Sequence, residues 1–275
     1  MMHHPIVFCP QKPVVMGILN VTTDSFYDGG RHFNEKEWLS HAEQLVTEGA
    51  SVIDVGAMST RPGATGVSAE VEIARIVPVV KRLVREYPTV SISVDTWRAS
   101  VAEAAIVAGA GMINDISGGT FDQMMFPLIR KHGVDYVLMH TKGTPQTMQL
   151  NPQYEDVTDE VRRFLFTRAT MLAEGFGGQI ILDPGFGFGK TLAHNYELMR
   201  RLKEITTGEW PVLVGISRKS MIYKLLETDP EAALNGTTAL NLFSLLQGAS
   251  ILRVHDVKDA MEVLKIFGQL SPGVK

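Results

Sequence analysis

Eight short apolar runs recur along the chain, each followed by a stretch with helical spacing. They are VVMGIL (14–19), SVIDVG (51–56), TVSISV (89–94), GMINDI (111–116), DYVLMH (135–140), QIILD (179–183), PVLVGI (211–216) and SILRVH (250–255). The runs are rich in β-branched residues and do not alternate cleanly, as expected of strands buried on both faces of a parallel sheet. Between them, NEKEWLSHAEQLVTEG shows the helical pattern. Asn34 is placed as an N-cap with Glu37 three residues on, Trp38, Ala42, Leu45 and Val46 share one face, and Gly49 can close the end. Similar patterns cover 69–86, 98–108, 120–132, 154–174, 194–205, 219–227 and 256–267. Asp229-Pro230 reads as the start of an additional helix reaching Gln247. Eight strand–helix units in 275 residues, with no composition break or long linker, predict a single-domain α/β chain folded as a (β/α)8 TIM barrel. A doubly wound open sheet is the alternative. Residues 1–13 are expected to be a loose N-terminal segment.

Composition narrows the function classes. A 45% hydrophobic and 20% charged chain is ordinary for a globular protein, and its net charge of −4 argues against a dedicated nucleic-acid binder. The single cysteine, Cys9, excludes a disulfide framework and fits a reducing compartment. No apolar run reaches the ~18 residues of a membrane span, and the start lacks the regions of a signal peptide. The expectation is a cytoplasmic protein with no membrane or nucleic-acid partner.

Polar residues gather where the strands end. Strand 1 leads to Asn20 and VTTDSFYDGG, and strand 2 to Thr60-Arg61-Pro62-Gly63. Strand 3 ends at Asp95, strand 4 reaches Asn114-Asp115, strand 5 ends at His140 and strand 6 at Asp183. Strand 7 runs into Ser217-Arg218-Lys219-Ser220, and strand 8 carries Arg253 and His255. In a barrel these ends converge on one mouth, where active sites are built. Any one of these residues has an ordinary reading, since a strand-end Asp often only caps the next helix. Their joint placement is what points to a site. Asp95, Asn114 and Asp183 offer acceptors and an amide donor suited to the edge of a planar nitrogen heterocycle. Asn20, Arg253 and His255 fall on adjacent strands and suit an anion, with a hard metal on the Asn20 oxygen as an option. The segment after Ser217 offers helix N-terminal N–H groups as a second anion site. LDPGFGFGKT (182–191) ends like a phosphate-binding loop, but Pro184 stands where that motif needs its first glycine.

These stretches together resemble the dihydropteroate synthase family. The resemblance spans nearly the whole chain and rests on MGILNVTTDSFYDGG (16–30), DVGAMSTRPGA (54–64), ISVDT (92–96), INDISGG (113–119), LMHTKGTPQTMQ (138–149), LDPGFGFGKT (182–191), VGISRKSMI (214–222) and RVHDV (253–257). It implies condensation of 6-hydroxymethyl-7,8-dihydropterin diphosphate with 4-aminobenzoate to give 7,8-dihydropteroate and diphosphate. It further implies Mg2+, a dissociative mechanism and a homodimer. Asp95, Asn114, Asp183 and Lys219 would bind the pterin, and Asn20, Arg253, Val254 and His255 the diphosphate, with Asn20 on the metal. Thr60, Arg61, Pro62, Phe188 and Ser220 would meet the aminobenzoate. Asp28, Arg61 and Lys219 would be catalytic, and the loop with Asp24, Phe26 and Asp28 would close over the diphosphate. Lys190 would stand outside the site. Thr23 and Tyr27 replace the family's usual Pro and Ser, and Ala57-Met58 its frequent Gly-Glu, so the departures fall in or next to the two loops. The other readings are a methyltetrahydrofolate-binding methyltransferase, a non-catalytic pterin-binding module, and a Schiff-base aldolase using Lys219.

Overall fold

The computed structural model describes residues 6–21, 35–57, 67–144, 146–148 and 150–271. Its strands are β1 (Val14–Asn20), β2 (Val52–Gly56), β3 (Ser91–Asp95), β4 (Met112–Asp115), β5 (Asp135–Met139), β6 (Ile180–Asp183), β7 (Leu213–Val214) and β8 (Ile251–Val254). Each pairs in parallel with its neighbours, in the order β6-β5-β4-β3-β2-β1-β8-β7. One parallel bridge, Leu182 to Val212, joins the two free edges, with the Leu182 N–H donating to Pro211 O at 2.9 Å. The sheet is thus a nearly closed barrel, and the open-sheet alternative fails.

The helices are α1 (Glu35–Glu48), α2 (Ala69–Glu86), α3 (Ala99–Ala108), α4 (Met125–His132), α5 (Val157–Ala173), α6 (Leu192–Arg200), α7 (Lys203–Thr206), α8 (Ser220–Tyr223), α9 (Leu234–Leu246) and α10 (Val257–Leu270). Their local signals are readable. Ser68 Oγ accepts from Val71 N–H at the start of α2, and Ile76, Val79, Val80 and Leu83 form its buried stripe. Gly49, at φ 111°, ends α1 in the left-handed region that a side chain would resist. Asn34, expected to cap α1, lies outside the described residues.

Several boundaries move. The stretch 194–205 is split between α6 and α7, and 219–227 holds only the single turn of α8. The additional helix begins at Leu234, because Asp229 Oδ1 accepts from Ala232 N–H and closes a separate turn first. No helix among the described residues is long and apolar enough to cross a membrane.

Residues 6–13 are not loose. The Phe8 N–H donates to Gln179 Oε1 at 3.2 Å, and Gln179 Nε2 donates back to Ile6 O at 2.6 Å. The Phe8 ring is buried against Met16, Val52, Met112, Val137, Ile181, Leu213 and Ile251. These residues form the lowest layer inside the barrel, at the N-terminal ends of the strands, and Phe8 plugs it. Outward-facing residues such as Leu19, Ile53, Ile92 and Val94 instead join the larger core shared with the helices. Side chains alternate along a strand, so inward positions recur every second residue. The next inward residue after Val52 is Asp54, after Met112 Asn114, after Ile181 Asp183, and after Ile251 Arg253. On these four strands the interior therefore changes from apolar to polar or ionic within one step toward the mouth.

Candidate active site

That ionic layer floors a small cavity lined by Asp95, Asn114, Asp183, Lys219, Arg253 and Phe188, with Ile116, Met139 and Gly215 as its apolar walls. Six strand-borne or loop-borne residues expected at the mouth are therefore brought together. A seventh organises them. Asp54, fully buried, accepts from Ser93 Oγ at 2.6 Å on one oxygen. On the other it accepts from Asn114 Nδ2 at 2.8 Å and Arg253 Nε at 2.7 Å. Because Asn114 spends an amide proton on Asp54, its carbonyl oxygen is turned the other way. Arg253 also donates to Asp95 Oδ2 at 3.0 Å. Two buried acceptors, Asp95 Oδ1 and Asn114 Oδ1, have no hydrogen-bond partner within the described protein. A buried polar atom without a partner costs ~1–3 kcal/mol, so such atoms mark a place for a donor-bearing ligand.

Electrostatics points the same way. Burial pushes the Asp95 and Asp183 carboxyls up, against the pull of Arg253 on Asp95 and of Lys219 on Asp183. Burial also pushes the Lys219 ammonium down to about 8, with Asp183 opposing the shift. Charges held this far from water gain from a polar ligand. Lys219 Nζ donates to Phe186 O at 2.6 Å and lies 4.8 Å from the centre of the Phe188 ring. It is thus tied to the loop after β6. Asp183 Oδ1 accepts from Gly185 N–H at 2.7 Å, which fixes that loop's first turn.

Lys190, expected to stand outside the site, does not line the cavity but is buried beneath the same loop. Its ammonium meets His140 Nδ1, Gly185 O and Phe188 O. His140 therefore faces this lysine and the edge-on Phe164 ring, 5.0 Å away, and does not line the cavity. Asp115 also turns away from the mouth. Its carboxylate takes the N–H groups of Ser117 and Gly119 and the hydroxyls of Ser117 and Tyr136, pinning the loop after β4. Arg218 pairs with Asp256 at 2.5 Å and braces the turn before α8.

The anion side is reached differently. β1 pairs with β8, so Asn20, exposed at the end of β1, and the Arg253–His255 segment lie on neighbouring strands. His255 Nδ1 sits 3.0 Å from Ser217 Oγ. Val254 is 1% exposed and belongs to the outer core, so it does not offer its side chain to a ligand. Ser220 is half-buried at the start of α8, but four residues align too few peptide dipoles for the anion site expected of a full helix. Thr23, Asp24, Phe26, Tyr27, Asp28, Met58, Thr60, Arg61 and Pro62 lie outside the described residues. Asp54 was missed as a candidate, although its place two residues beyond Val52 marks it as inward-facing.

Residues 16–255 match the family model described as pterin binding enzyme. The dihydropteroate synthase of Escherichia coli (strain K12) is 44% identical over 256 residues, covering 92% of this chain and 90% of that protein. The chain belongs to the dihydropteroate synthase family. Among solved structures, the Yersinia pestis dihydropteroate synthase in a sulfonamide drug complex is 41% identical, with a TM-score of 0.90 over 98% of both chains. The Xanthomonas albilineans dihydropteroate synthase in complex with 7,8-dihydropteroate is 37% identical, with a TM-score of 0.83 over 95% of this chain and 94% of that one. Family membership makes the chain a transferase of folate biosynthesis and sets aside the aldolase and methyltransferase readings.

Proposed function

We propose that the ionic cavity binds the pterin ring of 6-hydroxymethyl-7,8-dihydropterin diphosphate and that the mouth above it joins this substrate to 4-aminobenzoate. The observation that carries the reading is the pair of unpartnered buried acceptors, Asp95 Oδ1 and Asn114 Oδ1, facing one cavity with Asp183 and Lys219. A pterin edge presents several N–H donors and a carbonyl, which such a set matches by accepting from the N–H groups at Asp95, Asn114 and Asp183 and turning the carbonyl toward the cationic Lys219.

In the reaction the bond from the pterin methylene carbon to the diphosphate oxygen breaks, with its electron pair leaving on diphosphate. A bond then forms from that carbon to the arylamine nitrogen, which loses a proton to water. Arg253 and His255 lie on the anion side and favour the departing charge. Asp95 and Asp183 lie close to the ring and, in their charged form, favour the methylene cation left behind. An aromatic wall at Phe188 orients the arylamine, and Ser220 is assigned to its carboxylate on the resemblance. The arylamine is a nucleophile in its neutral form, so no strong general base is needed. Asp28 and Arg61 are assigned to the same step on the resemblance alone.

Asn20 fits Mg2+. It offers a hard oxygen donor, exposed at the end of β1, and the described residues hold no group of three His, Cys, Asp or Glu side chains able to form a complete cage. Mg2+ is commonly held by one or two protein oxygens with waters and substrate phosphates. When bound it would neutralise charge on the leaving diphosphate. We also read the protein as a homodimer, to be checked by light scattering.

The test is incubation with both substrates and Mg2+, followed by chromatography for dihydropteroate and diphosphate. Formation of both only when the arylamine is present supports the reading. Pterin binding without product would leave a binding module.

A further inference from the structure

We propose that Lys190 is a positioning residue, whose ammonium clamps the loop after β6 at three points and so holds the arylamine wall in place. The loop runs from Pro184 to Thr191 and carries Phe188, the carbonyl of Phe186 that anchors Lys219, and the N–H that Asp183 accepts. Lys190 Nζ lies 2.8 Å from Gly185 O, 3.1 Å from Phe188 O and 3.0 Å from His140 Nδ1. In its ammonium form Lys190 has three N–H groups and no lone pair, so the two carbonyls, with His140 Nδ1 in the tautomer that leaves its lone pair free, use its whole capacity. The carbonyls are the loop's own, at either end of Phe186-Gly187. The third acceptor belongs to the end of β5, which ties the loop to the barrel wall.

The arrangement is costly as a piece of core. Lys190 is 3% exposed, and burial pushes its ammonium down to about 7, with Asp183 opposing the shift. Holding a cation this far from water costs stability. The glycines show how little slack the loop has. A side-chain carbon on Gly185, at φ 67°, would collide with His140 O, and one on Gly189, at φ 60°, with Lys142 O. Tyr154 Oη donates to Gly189 O at 2.7 Å and closes the far end. Backbone this close to β5 needs its carbonyls satisfied, and only a long donor reaching under the loop meets two of them and His140 at once. The consequence lies on the cavity side, because the clamp sets where the Phe188 ring stands relative to Lys219. The pterin acceptors Asp95 and Asn114 sit on β3 and β4 and do not depend on it.

The inference rests on the reading of Phe188 as the arylamine wall. The experiment compares wild type with Lys190→Met and Lys190→Arg by steady-state kinetics in both substrates, calorimetry with a pterin lacking diphosphate, and thermal unfolding. Lys190→Met, assayed well below its melting midpoint, should lose about tenfold or more in kcat/KM for the arylamine, since small displacements of a positioning group cost that much, and far less in pterin affinity. Lys190→Arg keeps donors but in a planar fork that cannot point from one nitrogen at three acceptors. It should lose part of the same constant with pterin binding intact, and it decides the matter if the Met variant does not fold. Equal losses for pterin and arylamine, or losses that track a lowered melting midpoint, would show an ordinary core lysine and overturn the proposal. Wild-type arylamine kinetics in either variant would overturn it too. Wild type run alongside reads the reaction itself, so a wild-type protein that forms no product overturns the proposed function and this inference with it.

Discussion

Asp183 serves opposed ends. Its carboxylate is buried beside the cavity, and burial holds its pKa above the ordinary carboxylate value. The folded state therefore binds a proton more readily than the unfolded chain, and stability falls as pH rises from ~4 through the raised folded value. Asp183→Asn should remove this loss. Its melting midpoint should exceed that of wild type at neutral pH, with the advantage shrinking toward pH ~4, as a pH series of thermal melts would show. The same change sets an amide donor against a donor of the pterin and should weaken pterin binding by ~1–3 kcal/mol in calorimetry. Arg253 and His255 separate in a comparable way. Arg253 binds Asp54 and Asp95, so Arg253→Ala leaves two buried carboxylates without their cation and should weaken binding of free pterin and of diphosphate alike. His255→Ala should weaken diphosphate alone. Titrating each variant with both ligands checks this, and an Arg253→Ala variant with normal pterin affinity would remove the ionic floor from the account.

The strands were legible because burial on both faces leaves a plain sequence trace, and eight such runs became eight strands. What local pattern does not carry is the pairing. The run PVLVGI yields only Leu213 and Val214 as β7, with Val212 left as a lone bridge, since strand length depends on what the neighbouring edge offers. The cavity residues Asp95, Asn114 and Asp183 were legible from their strand-end positions. Lys190 was not, because its partner His140 lies 50 positions away and the nearby Gly-Lys-Thr invites a phosphate reading that proves empty. Asp54 was hidden inside an otherwise apolar run. The N-terminal segment misled because few residues of it look structural, yet Phe8 fills the barrel floor. Phe8→Ala should cost as much as ~3–5 kcal/mol in chemical denaturation, the range for truncating a buried aromatic. Pterin affinity should be unchanged, because the plug and the cavity lie at opposite ends of the strands. A large loss of pterin binding at full foldedness would contradict that separation.

On the proposed reading the substrate is divided between a pterin floor and a diphosphate side that Mg2+ would share with Asn20. Removing Mg2+ with a chelator should therefore leave binding of a diphosphate-free pterin unchanged and weaken binding of the pterin diphosphate, which paired calorimetric titrations would resolve. The single bridge between Leu182 and Val212 bears on the same ligand. Every other junction of the cylinder is a ladder, whereas this one hangs on very little main-chain bonding, so transient breathing of the wall should begin there. Asp183 stands on one side of this seam, at the end of β6, and Lys219 follows β7 on the other. A heterocycle gripped by both is a rivet across the weakest line of the barrel. Amide hydrogen exchange at Leu182 should be faster than at Ile53 in β2, on the opposite wall, and a bound pterin should slow it far more than it slows Ile53. The enzyme would then be mechanically complete only while it holds its substrate, and tight pterin analogues would act as structural stabilisers as well as blockers of the site.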